Sequence, residues 1–300
     1  GLYRNPETLM KLREKLHSVY EHCPNPLNFI GIVDDTEEKN FYSETTILRD
    51  MEYVENIRSI LDSRNSLYGE ALKKRRELGF EQSQTFQVMI IDRINNGWVP
   101  DMTATMTHDF DDFDGNDAVM QYKKEAYFAA SFDMTINPDK EAIEGKLQKN
   151  WDRYITTGKI PRVKYFEDPE NEKNRGKRIM PKFVIGGSGK DMEDLAMAYL
   201  EDDLASISDH PLKYTIVSQI EVQLKAILDF YSTSENRDNS KFDVALRHYT
   251  RFSDFFEQIK KSIDYDEKKD IEVNRNHRED NELYKVCISF KPKTNKKIAA

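Results

Sequence analysis

Cysteine is nearly absent from this chain: Cys23 and Cys287 are the only two in 300 residues. Two thiols cannot build the disulfide framework of a small secreted domain or a four-cysteine zinc site, so a reducing compartment is the default expectation. No apolar stretch reaches the 18 residues a membrane-spanning helix needs. Nor is positive charge in excess, because 45 Lys and Arg face 54 Asp and Glu for a net charge of −9. That balance argues against a surface that embraces nucleic acid throughout, since phosphate binding is driven by clustered cations that release counterions; it leaves room for a local basic groove. There is no repeat and no low-complexity tract. The first residues carry Pro6, Glu7 and a mixed-charge amphipathic stretch where a secretory signal needs a basic start and an apolar run. The expected location is therefore the cytoplasm or the interior of a virion, away from any membrane.

What the chain does have is aromatic bulk, with sixteen Phe, fifteen Tyr and two Trp to fill a core. Leu9, Leu12, Leu16 and Tyr20 recur at helical spacing from Pro6 until a Cys-Pro-Asn-Pro segment stops them. Leu27 to Val33 reads as a short buried strand, and Thr45 to Leu78 as a long helix broken near Asp62 to Asn65. Phe86 to Ile91 is a continuous apolar run, assigned here to the sheet. Phe128, Ala130, Phe132, Met134 and Ile136 alternate with Ala129, Ser131, Asp133 and Thr135, and Lys182 to Ile185 adds another strand. Residues 137–177 read as polar loop around a short helix at Glu141 to Tyr154. Helices follow at Met192 to Leu200, Leu212 to Tyr231 and Phe242 to Ile263, the last two an antiparallel pair.

The expected architecture is α+β: a central mixed sheet from the middle third plus a C-terminal strand, flanked by long N-terminal and C-terminal helices. In domain terms, 1–263 form one globular unit with a helical hairpin at 212–263. A charged mobile segment at 264–282, a returning strand at 283–290 and a basic tail at 291–300 follow.

The densest chemical signal is the run HDFDDFDGND from His108 to Asp117, which sets Asp109, Asp111, Asp112, Asp114 and Asp117 within nine residues. Neighbouring carboxylates can share a hard cation through oxygen ligands, as metal-dependent phosphoryl transfer requires; the ion would be Mg²⁺ or Ca²⁺. An EF-hand is excluded, because Gly115 at the turn position puts Phe110 first and Gln121 last. The signature of Fic-type AMP transferases fails too, with two extra residues between Phe110 and Asp114 and no Arg after Asn116. The alternative is a solvated acidic turn anchored by Phe110 and Phe113.

Phe183 to Lys190 reads FVIGGSGK ahead of an amphipathic helix. The backbone amides of Gly187, Ser188 and Gly189, with Lys190 beside them, suit a phosphate at a helix start. A Walker A loop needs Gly and Ser or Thr where Val184 and Asp191 stand, so the plainer reading is a glycine turn for tight packing. A nuclease pattern of Pro-Asp followed by acid-x-Lys is suggested by Pro100-Asp101, but no such triplet lies downstream at the right distance. Glu144-Gly145-Lys146 supplies the triplet only four residues past Pro138-Asp139. His17, His22 and Cys23 lack zinc-site spacing, and no Gly-x-Ser-x-Gly elbow exists.

Basic residues cluster at Lys73 to Arg76, a helix end, and between Arg162 and Lys182. In the second cluster Lys164, Tyr165, Arg175, Lys177 and Arg178 combine cations with a ring that can stack on bases. Three expectations result. The first, because no segment completes a catalytic motif, is a non-enzymatic component of a larger assembly, viral or phage-derived, acting through protein partners or self-association. The second is a Mg²⁺-dependent phosphoryl-transfer enzyme acting on nucleotide or nucleic acid, with the aspartates on metal and the glycine turn on phosphate. The third is a single-stranded nucleic-acid binding module.

Overall fold

A computed structural model describes residues 5–17, 44–107, 109–122, 128–136, 139–168, 175–233 and 239–292. The strand expected at Leu27 to Val33 and Cys23 lie outside them, as do residues 293–300 of the basic tail. In chain order the helices before the sheet are α1 (Pro6–Lys15), α2 (Glu44–Ser66) and α3 (Glu70–Arg93). The chain then runs β1 (Met102–Met106), α4 (Asp109–Phe113), β2 (Ala118–Tyr122), β3 (Phe128–Thr135) and α5 (Lys140–Asn150). After β4 (Arg162–Glu167), β5 (Arg175–Ile179) and β6 (Lys182–Gly186) come α6 (Gly189–Leu200), α7 (Leu204–Ser208) and α8 (Leu212–Ser232). The chain continues through α9 (Asp243–Ser262), α10 (Tyr265–Lys268), α11 (Glu272–Asp280) and α12 (Glu282–Ser289).

The main sheet has the order β1-β2-β3-β6. Its first three strands form an antiparallel meander, and β6 joins parallel to β3 after the crossover through α5. The class is α+β, with a mixed sheet and helices on both sides. One face carries Tyr122, Phe128, Phe132 and Phe183, which pack on Tyr249, Phe252 and Phe255 of α9. The other face is covered by the β4–β5 hairpin, whose Val163, Phe166 and Met180 meet Val119 and Ala129, and by α5, whose Ile143 and Leu147 meet Val184.

The outer edge of β6 is closed by side chains. Gln219 and Gln223, one turn apart on α8, each embrace one residue of β6. Gln219 accepts from Gly186 N (3.0 Å) and donates to Gly186 O (2.8 Å); Gln223 does the same for Val184 at 3.0 and 2.7 Å. A helix thereby satisfies backbone groups that a further strand would otherwise take.

Five expectations are corrected. Residues 137–177, read as loop around one helix, also hold β4 and the start of β5, and Lys73 to Arg76 stand near the start of α3 and not at a helix end. Phe86 to Ile91 lies within α3: apolar apart from Gln87 because the C-terminal half of α3 is buried between α1 and the sheet, it has the composition of an inner strand and the geometry of a helix. Residues 283–290 do not return as a strand. Tyr284, Val286, Ile288 and Phe290 alternate, but the buried set is Leu283, Val286 and Cys287 at helical spacing, and Asn281 caps α12 by accepting from Tyr284 N at 3.0 Å. Residues 264–282 form α10 and α11 with Tyr265, Asn274 and Asn281 buried, in place of a mobile segment.

The hairpin-covered face is unusually polar. Thr103, Thr105, Gln121 and Ser131 bury side-chain polar atoms with no hydrogen-bond partner among the described residues. Gln121, fully buried, leaves both its amide oxygen and nitrogen unpaired. An unpaired buried amide costs about 1–3 kcal/mol, so Gln121→Met is expected to raise stability by about 1 kcal/mol in urea denaturation, against the usual direction for a core substitution.

Candidate active site

The acidic run folds as α4 and a tight turn. Gly115 takes φ +81, which favours glycine, and a Cβ there would stand 3.1 Å from Asp133 Oδ2 and 3.2 Å from Lys182 Nζ. The turn thus lies directly on β3 and β6. Phe110 and Phe113 pack against the cluster of Ile47, Val54 and Tyr165.

The five aspartates are sent to different places. Asp109 opens α4. Asp111 is buried, and its two oxygens accept the backbone N–H groups of Lys164 (2.7 Å) and Tyr165 (2.8 Å), so it fastens α4 to β4. Burial pushes its carboxyl up to about 6 in spite of those two donors. Asp114 forms a 2.6 Å ion pair with Arg153, and its carbonyl accepts from Lys182 Nζ at 3.1 Å. Asp112 and Asp117 turn inward together.

Asp117 is the centre of the site. Its N–H donates to Phe132 O (2.8 Å) and its carboxylate accepts from Met134 N (2.6 Å) and Gln87 Nε2 (3.2 Å), which brackets Asp133 on the neighbouring strand. Burial pushes the Asp117 carboxyl well above the ordinary range, and the charges of Asp133 and Asp112, the latter hydrogen-bonded to it, add to that. From the far side Lys146 of α5 pairs with Asp133 and reaches Met134 O at 3.5 Å. Burial alone would lower Lys146, but Asp133 and Asp117 outweigh it and hold the ammonium above its usual value. Lys182 is deeper, and there burial wins and lowers its value although Asp133, Asp114 and Asp117 oppose it. Asp112 of α4 thus meets Asp117 just ahead of β2, while Asp133 on β3 lies near enough to act on Asp117 and is itself paired with Lys146 of α5. The negative excess there is relieved by a proton or by a cation.

The glycine turn stands at the same end of the sheet, since Thr135 pairs with Gly186 two residues beyond Asp133. Its glycines serve close approach: a Cβ on Gly186 would lie 1.9 Å from Thr135 O, and one on Gly187 3.0 Å from Phe86. Ser188 caps α6, and its N–H and hydroxyl donate to Asp191 Oδ2 at 2.5 and 2.8 Å. An anion at Ser188 and Gly189 would have to displace that carboxylate; Lys190 is exposed beside it. In the basic cluster Lys164 pairs with Asp50, and Tyr165, buried, donates its hydroxyl to Asp50 at 2.6 Å. Its ring is accordingly covered. Arg175 opens β5, Lys177 is exposed, and the Arg178 guanidinium lies 5.9 Å from the Phe166 ring centre.

Asp133 and Lys146 are the residues sequence reasoning missed. Asp133 stands on the more polar side of the alternation in β3, the side that a period of two ordinarily leaves to solvent. Lys146 sat in a Glu-Gly-Lys triplet set aside for its distance from Pro-Asp. The usable signal was Lys146 on the stripe Ile143, Lys146, Leu147, Asn150, a charge at a core-facing helical position. The chain matches no known protein family, no curated protein and no solved structure.

Proposed function

We propose that Asp112, Asp117 and Asp133 hold a divalent cation and that the chain catalyses Mg²⁺-dependent phosphoryl transfer to water on a nucleotide or nucleic acid. The observation that carries this reading is the packing of the Asp117 carboxylate, buried and held by Met134 N, against Asp112, beside an Asp133 that is paired with Lys146. Oxygen-only donors suit a hard ion. When bound, such an ion polarises a phosphoryl oxygen and acidifies water. The chain's own groups then have separate tasks. Asp117, just ahead of β2 and hydrogen-bonded to Phe132 O, and Asp133 on β3 would hold the ion. Lys146, held charged by its neighbours, donates a hydrogen bond to developing negative charge on the phosphoryl group and is not a proton acceptor at neutral pH. Arg153, half-exposed at the rim, meets the rest of an anionic substrate. A buried Asp117 and a buried Lys182 beside the half-buried Asp112, Asp133 and Lys146 are costly for a surface that only assembles, which favours this reading over a passive role.

The test is cleavage of end-labelled single-stranded RNA, single-stranded DNA and nucleoside triphosphates in Mg²⁺ or Mn²⁺, with a chelator control. Chelator-sensitive product is expected from at least one substrate; no product from any of them with either ion would remove the proposal. Lys146→Met separates the two tasks. Turnover is expected to fall about 100-fold, in the range for loss of one transition-state donor. Mn²⁺ affinity should be kept or improved, because a positive charge leaves Asp133. Because Asp117 would have to lose its proton to hold an ion, cation-induced stabilisation should grow as pH rises above the ordinary carboxylate range, read as the shift in Tm with saturating Mg²⁺.

A further inference from the structure

A second cluster lies apart from these aspartates. Asp191 in the first turn of α6, His210 before Pro211 at the start of α8, and His277 on α11 bring one ligand atom each to within 4.8 Å of one another. Asp191 and His210 are buried, and the His277 side chain is 18% exposed, which leaves a way in from solvent.

The outer contacts already orient two of the three. Asp191 Oδ2 is taken by the Ser188 amide and hydroxyl, which turns Oδ1 toward His277. His277 Nδ1 lies 2.7 Å from the fully buried Thr215 hydroxyl, which turns Nε2 toward Asp191 Oδ1, where the two form a hydrogen bond. Metal-ligating histidines characteristically hold their second nitrogen against such an oxygen, and ligating carboxylates are themselves hydrogen-bonded. A cation replaces the single proton between Oδ1 and Nε2. His210 now accepts the Leu212 N–H at 3.2 Å, a long bond given up on coordination.

We infer that Asp191, His210 and His277 form a binding site for a zinc-class transition ion, clamping α11 and the start of α8 to the turn that ends β6. Two imidazoles and one carboxylate select a borderline ion, where the aspartate site, all oxygen, selects Mg²⁺. The fourth position stays open to water.

The test uses the full chain carrying Asp117→Asn, so that failure of the aspartate site does not affect it. Zinc is added at one equivalent and X-ray absorption is recorded at its edge. The expected spectrum has a first shell of nitrogen and oxygen with outer-shell scattering from two imidazoles; zinc that is not retained, or an all-oxygen shell, overturns the inference. His277→Gln and Asp191→Asn should each lower zinc affinity at least about 100-fold, and Thr215→Val, which removes no ligand, about 10-fold. Unchanged affinity in a folded His277→Gln protein also overturns it. Should that variant not fold, the absorption spectrum decides alone.

Discussion

Asp117→Asn is expected to abolish cation binding and hydrolysis while making the metal-free protein more stable. The asparagine oxygen can keep the Met134 and Gln87 hydrogen bonds, and its NH₂ can donate to Asp112 where two carboxylates now meet. What disappears is a buried acid whose ionisation the fold opposes. The sign follows from linkage. The Asp117 carboxyl is raised in the folded protein, so the native state keeps a proton that the unfolded chain has lost. Wild-type stability therefore falls as pH rises out of the ordinary carboxylate range. Below that range the variant and the wild type should be alike, and the variant should gain progressively above it. The gain expected at pH 7 is about 2 kcal/mol, the usual order for removing an uncompensated buried polar group, or about 5 °C in Tm for a chain of this size. Activity should drop by about 1,000-fold or more, as for loss of a metal ligand. Urea denaturation across pH 4 to 8, without metal, checks the first part. Equal slopes for wild type and variant would mean that Asp117 carries no strained charge.

Gln219→Met has the opposite consequence. The methionine has the same shape, but it leaves Gly186 N–H and C=O without partners at the edge of β6 and removes the donor to Asn281 Oδ1 (3.0 Å), the cap of α12. Each orphaned buried group costs about 1–3 kcal/mol, so a loss of about 4 kcal/mol is expected, a large share of the about 5–15 kcal/mol that holds a typical domain together. Chemical denaturation measures it. Hydrogen exchange should in addition show Gly186 and residues 282–289 losing protection first, because the lost contacts join those two elements. A cost under about 1 kcal/mol would mean that the glutamine is replaceable by water. Gln121 provides the internal contrast, being a buried glutamine that makes no such bonds among the described residues.

Those two glutamines illustrate what the sequence conceals. The helix over 212–231 is legible from its apolar spacing, yet nothing in that spacing says that its polar residues face inward to a strand edge. The middle strands show the same divide. β3 and β6 announce themselves by alternation and by a β-rich run before glycines. β1 and β2 are short, and their Thr, Gln and Met give no alternation of apolar and polar residues, because the face they present is polar and buried under a hairpin. At the C-terminus a period of two and a helical period coexist over eight residues, and only the packing of Leu283, Val286 and Cys287 on α5 decides between them.

For the site, the aspartate-rich run was visible as a dense chemical signal, and two of its five members, Asp112 and Asp117, face the inner cluster. Their partners were not visible. Asp133 and Lys146 are separated from the run by a strand and a helix, and they meet it only because β3 pairs with β2 and α5 folds back over the sheet. Asp111 shows the converse, since a carboxylate in the same run is used to hold two backbone amides.

The central claim is that Asp117 and Asp133 share one cation beside Lys146. Titration with Mn²⁺ followed by electron paramagnetic resonance, which reports free ion directly, tests it most simply. One tightly held Mn²⁺ per chain is predicted for the wild type, retained in Lys146→Met and lost in both Asp117→Asn and Asp133→Asn. A wild-type protein that leaves all Mn²⁺ free, or aspartate variants that bind it as well as wild type does, would contradict the account.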